Sequence, residues 1–107
     1  MPTAMAYITC ESLEQAREIG RTLVSERLAA CVNILPGMTS MYWWQGKIEE
    51  AGEVVLVAKT RMTLADALTK RAVALHSYDV PCVVVLPILR GNPEFISWIE
   101  SDTQVLS

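Results

Sequence analysis

The sequence predicts an α+β domain with the order β-α-β-β-α-β, followed by a short C-terminal helix. Three observations support this order: apolar runs of strand length near both ends, two segments with helical spacing of apolar residues, and a long aromatic hairpin between them. Two right-handed crossovers over one antiparallel sheet give the ferredoxin-like arrangement, with the first and third strands central and two helices on one face. We expect residues 1–107 to form a single domain.

The first strand, the first helix and the second strand have distinct sequence signals. Residues 4–10 form an apolar run that suits a buried strand. Ser12 opens a Ser-Leu-Glu-Gln capping box, in which the glutamine reaches back, and the apolar spacing after it predicts a helix ending near Arg27. Residues 30–35 are expected to form the second strand, which Pro36-Gly37 breaks or bends.

The centre of the chain predicts an unusually long β-hairpin. Residues 38–44 and 48–59 are rich in aromatic and β-branched side chains on either side of a Gly-containing break. These arms are long, since strands usually run about 5–6 residues. No other segment of the chain could pair with them along their whole length. Because an overhanging hairpin with an apolar tip exposes strand edges and hydrophobic surface, we expect the tip to lie in an interface between subunits. The tip residues are Met41, Tyr42, Trp43 and Trp44.

The second arm of the hairpin also carries internal signals. Residues 54–58 are apolar at every position, which predicts a central strand covered on both sides. Gly52 suggests a bulge within the same arm. The acidic residues of this arm are interpreted as a solvated face; they are Glu49, Glu50 and Glu53.

The last third of the chain repeats the helix–strand pattern. Thr63, with an acidic residue three positions later, is expected to open the second helix. After the connection at residues 76–81, residues 82–86 form another apolar strand, closed by Pro87. Asn92 as N-cap and Pro93 at the first helical position predict the start of the terminal helix.

Composition excludes several classes of partner. The formal net charge is −3 and no basic run occurs, so neither nucleic acid nor an anionic membrane surface is an expected partner. No apolar run approaches the ~20 residues of a membrane span, and the N-terminus lacks the pattern of a signal peptide. Cys10, Cys31 and Cys82 each lie within an apolar run, which favours buried, reduced thiols and a cytoplasmic location.

The sequence gives no sign of a catalytic centre. His76 is the only histidine, and no Ser, Cys or Asp beside it in the sequence forms a nucleophile pair with it. The five glycines are scattered singly, so no phosphate-binding loop is present. We therefore expect no catalytic residues and predict that the protein is not an enzyme.

The predicted topology brings three potential metal ligands to one end of the sheet. Cys10 ends the first strand, Cys82 begins the fourth, and His76 lies just before it, while the first and fourth strands are neighbours. Thiolate and imidazole ligands suit Cu(I) or another soft ion. Alternatively, the cysteines are buried hydrophobic residues and His76 caps a helix end.

The chain resembles the divalent-cation-tolerance family, CutA, from about residue 7 to residue 98. The resemblance rests on Arg-Leu-Ala-Ala-Cys-Val-Asn-Ile at 27–34, Pro36-Gly37, Ser-Met-Tyr-Trp-Trp-Gln-Gly-Lys at 40–47, Lys59-Thr60, His-Ser-Tyr-Asp-Val-Pro at 76–81, Pro87-Ile88 and Gly91-Asn92. It implies a PII-like fold, a tight homotrimer in which long hairpins pair between subunits, and a role in tolerance of copper and other divalent ions.

The resemblance also implies ligands for copper. The family's proposed ligands are a cysteine ending the first strand and two adjacent histidines before a Tyr-x-x-Pro segment. Cys10 matches the cysteine and His76 matches the second histidine, whereas Leu75 occupies the position of the first. Leucine cannot ligate a metal, so a third ligand would have to come from Cys82.

Two other functions follow from the resemblance. The similarity to PII proteins implies a regulatory protein that binds a small molecule in the cleft between subunits, near Tyr42, Lys59 and Tyr78. The animal relatives imply a stable trimeric scaffold for a protein partner.

Overall fold

The computed structural model describes residues 2–104, which form a four-stranded antiparallel sheet and three α-helices. In chain order the elements are β1 (Thr3–Cys10), α1 (Leu13–Ser25), β2 (Cys31–Trp44), β3 (Lys47–Arg61), α2 (Ala65–Leu75), β4 (Val83–Ile88) and α3 (Pro93–Ser101). The strand order is β2-β3-β1-β4, with every neighbouring pair antiparallel. The ferredoxin-like prediction, with the first and third strands central, is therefore confirmed.

The hydrophobic core lies between the sheet and the pair α1 and α2. Alternate residues of β1 point toward these helices and are fully buried; they are Ala4, Ala6, Ile8 and Cys10. Leu56 of β3 lies opposite Ile8 and is also fully buried, and each such aliphatic side chain contributes about 1.5–3 kcal/mol to folding. Gly20 allows α1 to approach the sheet closely, since a Cβ there would lie 3.0 Å from Val32.

The opposite face of the sheet is only partly covered. Arg61 of β3 donates from Nε to Thr103 Oγ1 at 2.9 Å and from its guanidinium to the Glu100 carbonyl, which holds the end of α3 against this face. Ile99 of α3 is fully buried. None of the helices within the described residues covers the rest of this face, which we call the open face. It consists of Tyr7, Leu35, Val57, Val84 and Leu86.

The hairpin is as long as the sequence predicts. β2 has 14 residues and β3 has 15, but β1 ends opposite Val54, so residues 47–53 pair with β2 alone. Gln45 and Gly46 form the tip with φ of 49° and 78°, which is the backbone of a two-residue turn whose twist matches the strands. All four predicted tip residues are partly or largely exposed in the single chain.

The bulge in the hairpin lies at Pro36-Gly37 and not at Gly52. The pairing register shifts between Leu35 and Met38, whereas Gly52 pairs regularly with Thr39. Pro36 has no N–H for a ladder and Gly37 adopts φ +84°, so these two residues accommodate the extra position at low cost. The second strand therefore bends at this point without ending.

Two predicted boundaries were wrong. A 3₁₀ turn, Met62–Leu64, precedes α2, so Thr63 lies within this turn and does not cap the helix; burial of Leu64 in the core sets the entry into α2 instead. Pro87 does not close β4, because the strand continues to Ile88 with Pro87 opposite Ala4. An edge strand tolerates proline, since one of its sides needs no N–H donors.

Within residues 2–104, none of the helices has the length and apolar character needed to cross a membrane.

Candidate functional site at the end of the first strand

His76, at the end of α2, has both ring nitrogens engaged. Its Nδ1 accepts a hydrogen bond from the Tyr78 amide at 3.1 Å, and its Nε2 lies 2.7 Å from the Thr9 carbonyl. A backbone N–H can only donate, so Nδ1 must be unprotonated and the proton must reside on Nε2, which donates to Thr9. His76 is thus a neutral imidazole that ties the end of α2 to β1.

The next two residues make further contacts with the rest of the fold. Ser77 donates from its hydroxyl to Gln15 Oε1 of α1 at 2.7 Å. The Tyr78 hydroxyl donates to Glu53 Oε2 of β3 at 3.0 Å, and the Tyr78 ring lies 4.8 Å from the His76 ring. We call residues 76–78 the latch, because these three residues join α2 to β1, α1 and β3.

Cys10 is the fully buried last residue of β1. Burial, and secondarily the Glu53 carboxylate, raise the pKa of its thiol to about 11. Burial, the hydrogen bond to Glu53 and that carboxylate's charge likewise raise the pKa of the Tyr78 phenol to about 12. Both groups are therefore protonated at neutral pH, and Cys10 is not poised as a thiolate ligand.

Cys82 lies on the other side of the sheet from Cys10. The Thr9 amide donates to the Cys82 carbonyl at 3.3 Å, which places these two residues opposite each other on the same face. Cys10 is the next residue along β1, so it points to the helix side, while Cys82 is exposed. The prediction that all three cysteines are buried was thus wrong for Cys82, which is exposed, and for Cys31, which is only partly buried, although all three are free.

The predicted metal ligands do not form a three-ligand site in this structure. Cys82 points away from Cys10, and His76 has no free ring nitrogen. Throughout residues 2–104, no group of three or more His, Cys, Asp or Glu side chains is arranged to hold a metal ion. The donor set of the closed single chain therefore does not fit bound copper.

The three predicted ligand-cleft residues fall into two places within one chain. Tyr42 lies close enough to Tyr78 to contribute to its raised pKa. Lys59 is six residues from Glu53 along β3, or about 20 Å away. Its Nζ donates to Asn33 Oδ1 at 2.7 Å and lies 5.6 Å from the centre of the Phe95 ring. The small-molecule cleft stays a prediction.

Sequence reasoning missed two residues that hold the latch. Gln15 was expected to reach back to the start of α1, but its side-chain oxygen accepts from Ser77, although Ser12 does cap the helix by accepting from the Gln15 amide. Glu53 was interpreted as part of a solvated face, yet it accepts from Tyr78. The only sequence signal for both residues was a polar side chain near the end of a predicted helix or strand. That signal does not identify the residue to which the side chain bonds.

Comparison with known proteins gives a consistent result. The family described as CutA1 divalent ion tolerance protein matches residues 4–102. The divalent-cation tolerance protein CutA of Thermus thermophilus is 50% identical over 99 residues, which cover 92% of this chain and 96% of the relative. The crystal structure of CutA1 from Oryza sativa is 43% identical and has a TM-score of 0.95, covering 97% of this chain and 95% of that chain.

Some relatives are longer than this chain. The chloroplastic protein CutA 1 of Oryza sativa subsp. japonica is 43% identical over 97% of this chain, but the match covers only 59% of the relative. The chain thus spans a little more than half the length of the plant and mammalian relatives that it matches. The family match extends over nearly all of the sequence, and the fold agrees with the solved structures, so this chain belongs to the CutA1 divalent ion tolerance family.

Proposed function

We propose that this protein is the subunit of a cytoplasmic homotrimer that takes part in tolerance of divalent metal ions. Relatives matching nearly their whole length are named divalent-cation tolerance proteins, and none of those names describes a reaction. The proposed role is accordingly non-catalytic. The three free cysteines support a reducing compartment.

The overhanging hairpin is the observation that carries the trimer. Among residues 2–104, β2 is the only strand that pairs with residues 47–53 of β3, and the tip presents Met41, Trp43 and Trp44 to solvent. Aromatic and methionine side chains are typical of interface cores. An exposed hairpin of this kind is stabilised by a second copy that pairs with its edges and covers its tip.

The open face supports the same assembly. Val84, Leu86 and Leu35 are each about half exposed, whereas the side chains between the sheet and the helices α1 and α2 form the hydrophobic core. Exposed apolar side chains that share one face of a sheet support an interaction site there. Because the open face and the hairpin belong to one sheet, a single symmetric assembly can cover both.

Copper is the ion we propose for the metal response. The soft and borderline donors of Cys10 and His76 favour Cu(I) over hard cations. Neither residue can act as a ligand in the closed single chain, because Cys10 is protonated and buried and His76 is fully hydrogen-bonded. Copper uptake would therefore require a rearrangement.

Native mass spectrometry under reducing conditions tests the assembly. We expect a species of three times the chain mass of 11.9 kDa at micromolar concentration. A stable monomer would contradict the proposed trimer. For the metal role, the chain is expressed in a copper-sensitive bacterial strain that lacks its own family member, and growth is compared with that of an empty vector. Growth no better than that of the empty vector would contradict the proposed tolerance function.

A further inference from the structure

Cys10 is fully buried although it is the last residue of its strand. β1 ends at Cys10 and the next residue, Glu11, is exposed, while β3 continues past this point toward the hairpin. β1 itself therefore stops here, whereas β2 and β3 continue into the hairpin. The latch crosses the end of β1 at this point. Its His76 bonds to the Thr9 carbonyl on one side, and its Tyr78 bonds to the Glu53 carboxylate on the other.

The latch is held by polar contacts rather than by packing into the core. Its attachments are hydrogen bonds to Thr9, Gln15 and Glu53, and none of its side chains belongs to the core cluster. The chain that follows is exposed at Asp79 and Val80. A segment with few apolar contacts, followed by exposed chain, is the kind that opens locally without unfolding of the domain.

We propose that the latch is a gate over Cys10, so that the thiol becomes accessible only when residues 76–78 leave their contacts with β1, α1 and β3. Opening would have two effects at once. It would uncover Cys10, and it would free the nitrogens of His76 from Thr9 and Tyr78. A soft donor pair hidden in the closed state would thus appear in the open state. The meaning of the gate for metal response rests on the proposed function.

Thiol labelling tests the gate without any metal. The native protein is treated with N-ethylmaleimide at neutral pH, and mass spectrometry of proteolytic peptides measures the modification of each cysteine over time. Exposed Cys82 serves as an internal standard and is expected to react fast, whereas buried Cys10 should react slowly. Repeating the reaction in low concentrations of urea should leave the Cys10 rate almost unchanged, because local opening exposes little surface.

Two variants cut the latch at different contacts. Tyr78→Phe removes the hydroxyl that binds Glu53 and keeps the ring, while Ser77→Ala removes the donor to Gln15. Loss of one hydrogen bond should raise the Cys10 rate about fivefold in each variant and leave the Cys82 rate unchanged. Ser25→Ala is the matched control, since it deletes an exposed hydroxyl that donates to the Thr22 carbonyl within α1 and touches no latch contact, and it should label as wild type does.

The outcomes separate the gate from general instability and from the proposed function. Equal Cys10 rates in wild type and both latch variants would overturn the proposal. So would a Cys10 rate that rises with urea in step with global unfolding, measured by circular dichroism on the same samples. The labelling experiment contains no metal, so it is independent of the growth assay with the copper-sensitive strain. Faster Cys10 labelling in the latch variants would support the gate even if that strain failed to grow. Unchanged labelling would overturn the gate without contradicting the tolerance role.

Discussion

Replacing Trp44 by alanine should weaken the proposed trimer without unfolding the chain. Trp44 is 58% exposed in the single chain. An aromatic side chain of this class buries about 150–250 Å², so its exposed part offers roughly 90–145 Å² to a neighbouring subunit. At about 25 cal/mol per Å² this area is worth roughly 2–4 kcal/mol per subunit, as an upper estimate. A loss of about 2 kcal/mol per subunit shifts dissociation strongly, since about 1.4 kcal/mol is a factor of ten.

Sedimentation velocity measures the distribution between monomer and trimer. Concentrations from about 1 to 100 µM span roughly the range of typical dissociation constants. Trp44→Ala should populate monomer at concentrations where wild type remains trimeric, with an unchanged far-ultraviolet circular dichroism spectrum. Leu89→Ala is the matched control, because Leu89 is 88% exposed and follows β4, away from the hairpin tip. If Trp44→Ala and Leu89→Ala assemble as wild type does, the hairpin tip does not contribute to the interface and the reasoning from its exposure fails.

Three further predictions follow from single residues. The pKa of Cys10 is raised from its ordinary 9.0 to about 11, so the folded state holds the thiol proton more tightly than the unfolded state and loses stability as the pH rises from 9 toward 11. The urea midpoint, measured at roughly pH 8, 9.5 and 10.5, should therefore fall less with pH in Cys10→Ala than in wild type. An equal fall in both proteins would exclude the cysteine as the cause. Arg61→Met should lower the free energy of unfolding by about 1–3 kcal/mol because it removes the hydrogen bonds holding α3, whereas Arg21→Met at an exposed position should change it little; equal urea midpoints would show that α3 is held by other contacts. Leu75→His should strengthen Cu(I) binding in competition with a chelator by adding an imidazole next to His76, at some cost in stability since Leu75 packs against the core; unchanged competition would show that position 75 does not contribute a ligand.

The sequence predicted those parts of the fold whose signals are local. The capping serine at Ser12 and the capping asparagine at Asn92 were identified correctly, because each cap needs only the following turn. The bulge was assigned to Gly52 instead of Pro36-Gly37, since a glycine in a strand does not reveal whether its partner strand is in register. The start of α2 was misplaced at Thr63 because burial of Leu64 overrides the capping pattern.

The candidate site was predicted in position but not in detail. The topology placed Cys10, His76 and Cys82 at one end of the sheet, and the hydrogen bonds of Thr9 to His76 and Cys82 agree with that placement. The sequence could not show that Cys82 faces away from Cys10, because a one-residue difference in register reverses the face of a strand residue. The sequence also could not identify the residues to which the latch bonds. Gln15 and Ser77 are 62 residues apart, so only tertiary packing brings them together.

The bulge at Pro36-Gly37 has a geometric consequence for the tip of the hairpin. Between Leu35 and Met38 the second strand advances by three residues while its partner advances by two, so the alternation of sides is inverted for every later position. Trp44 consequently shares the side of Leu35, and Trp43 points to the side of the helices. Removing one residue at the bulge would move each of these two indoles to the opposite side of the hairpin. The side that each indole faces thus depends on a single extra residue about seven positions back along the strand, more than about twenty ångströms away.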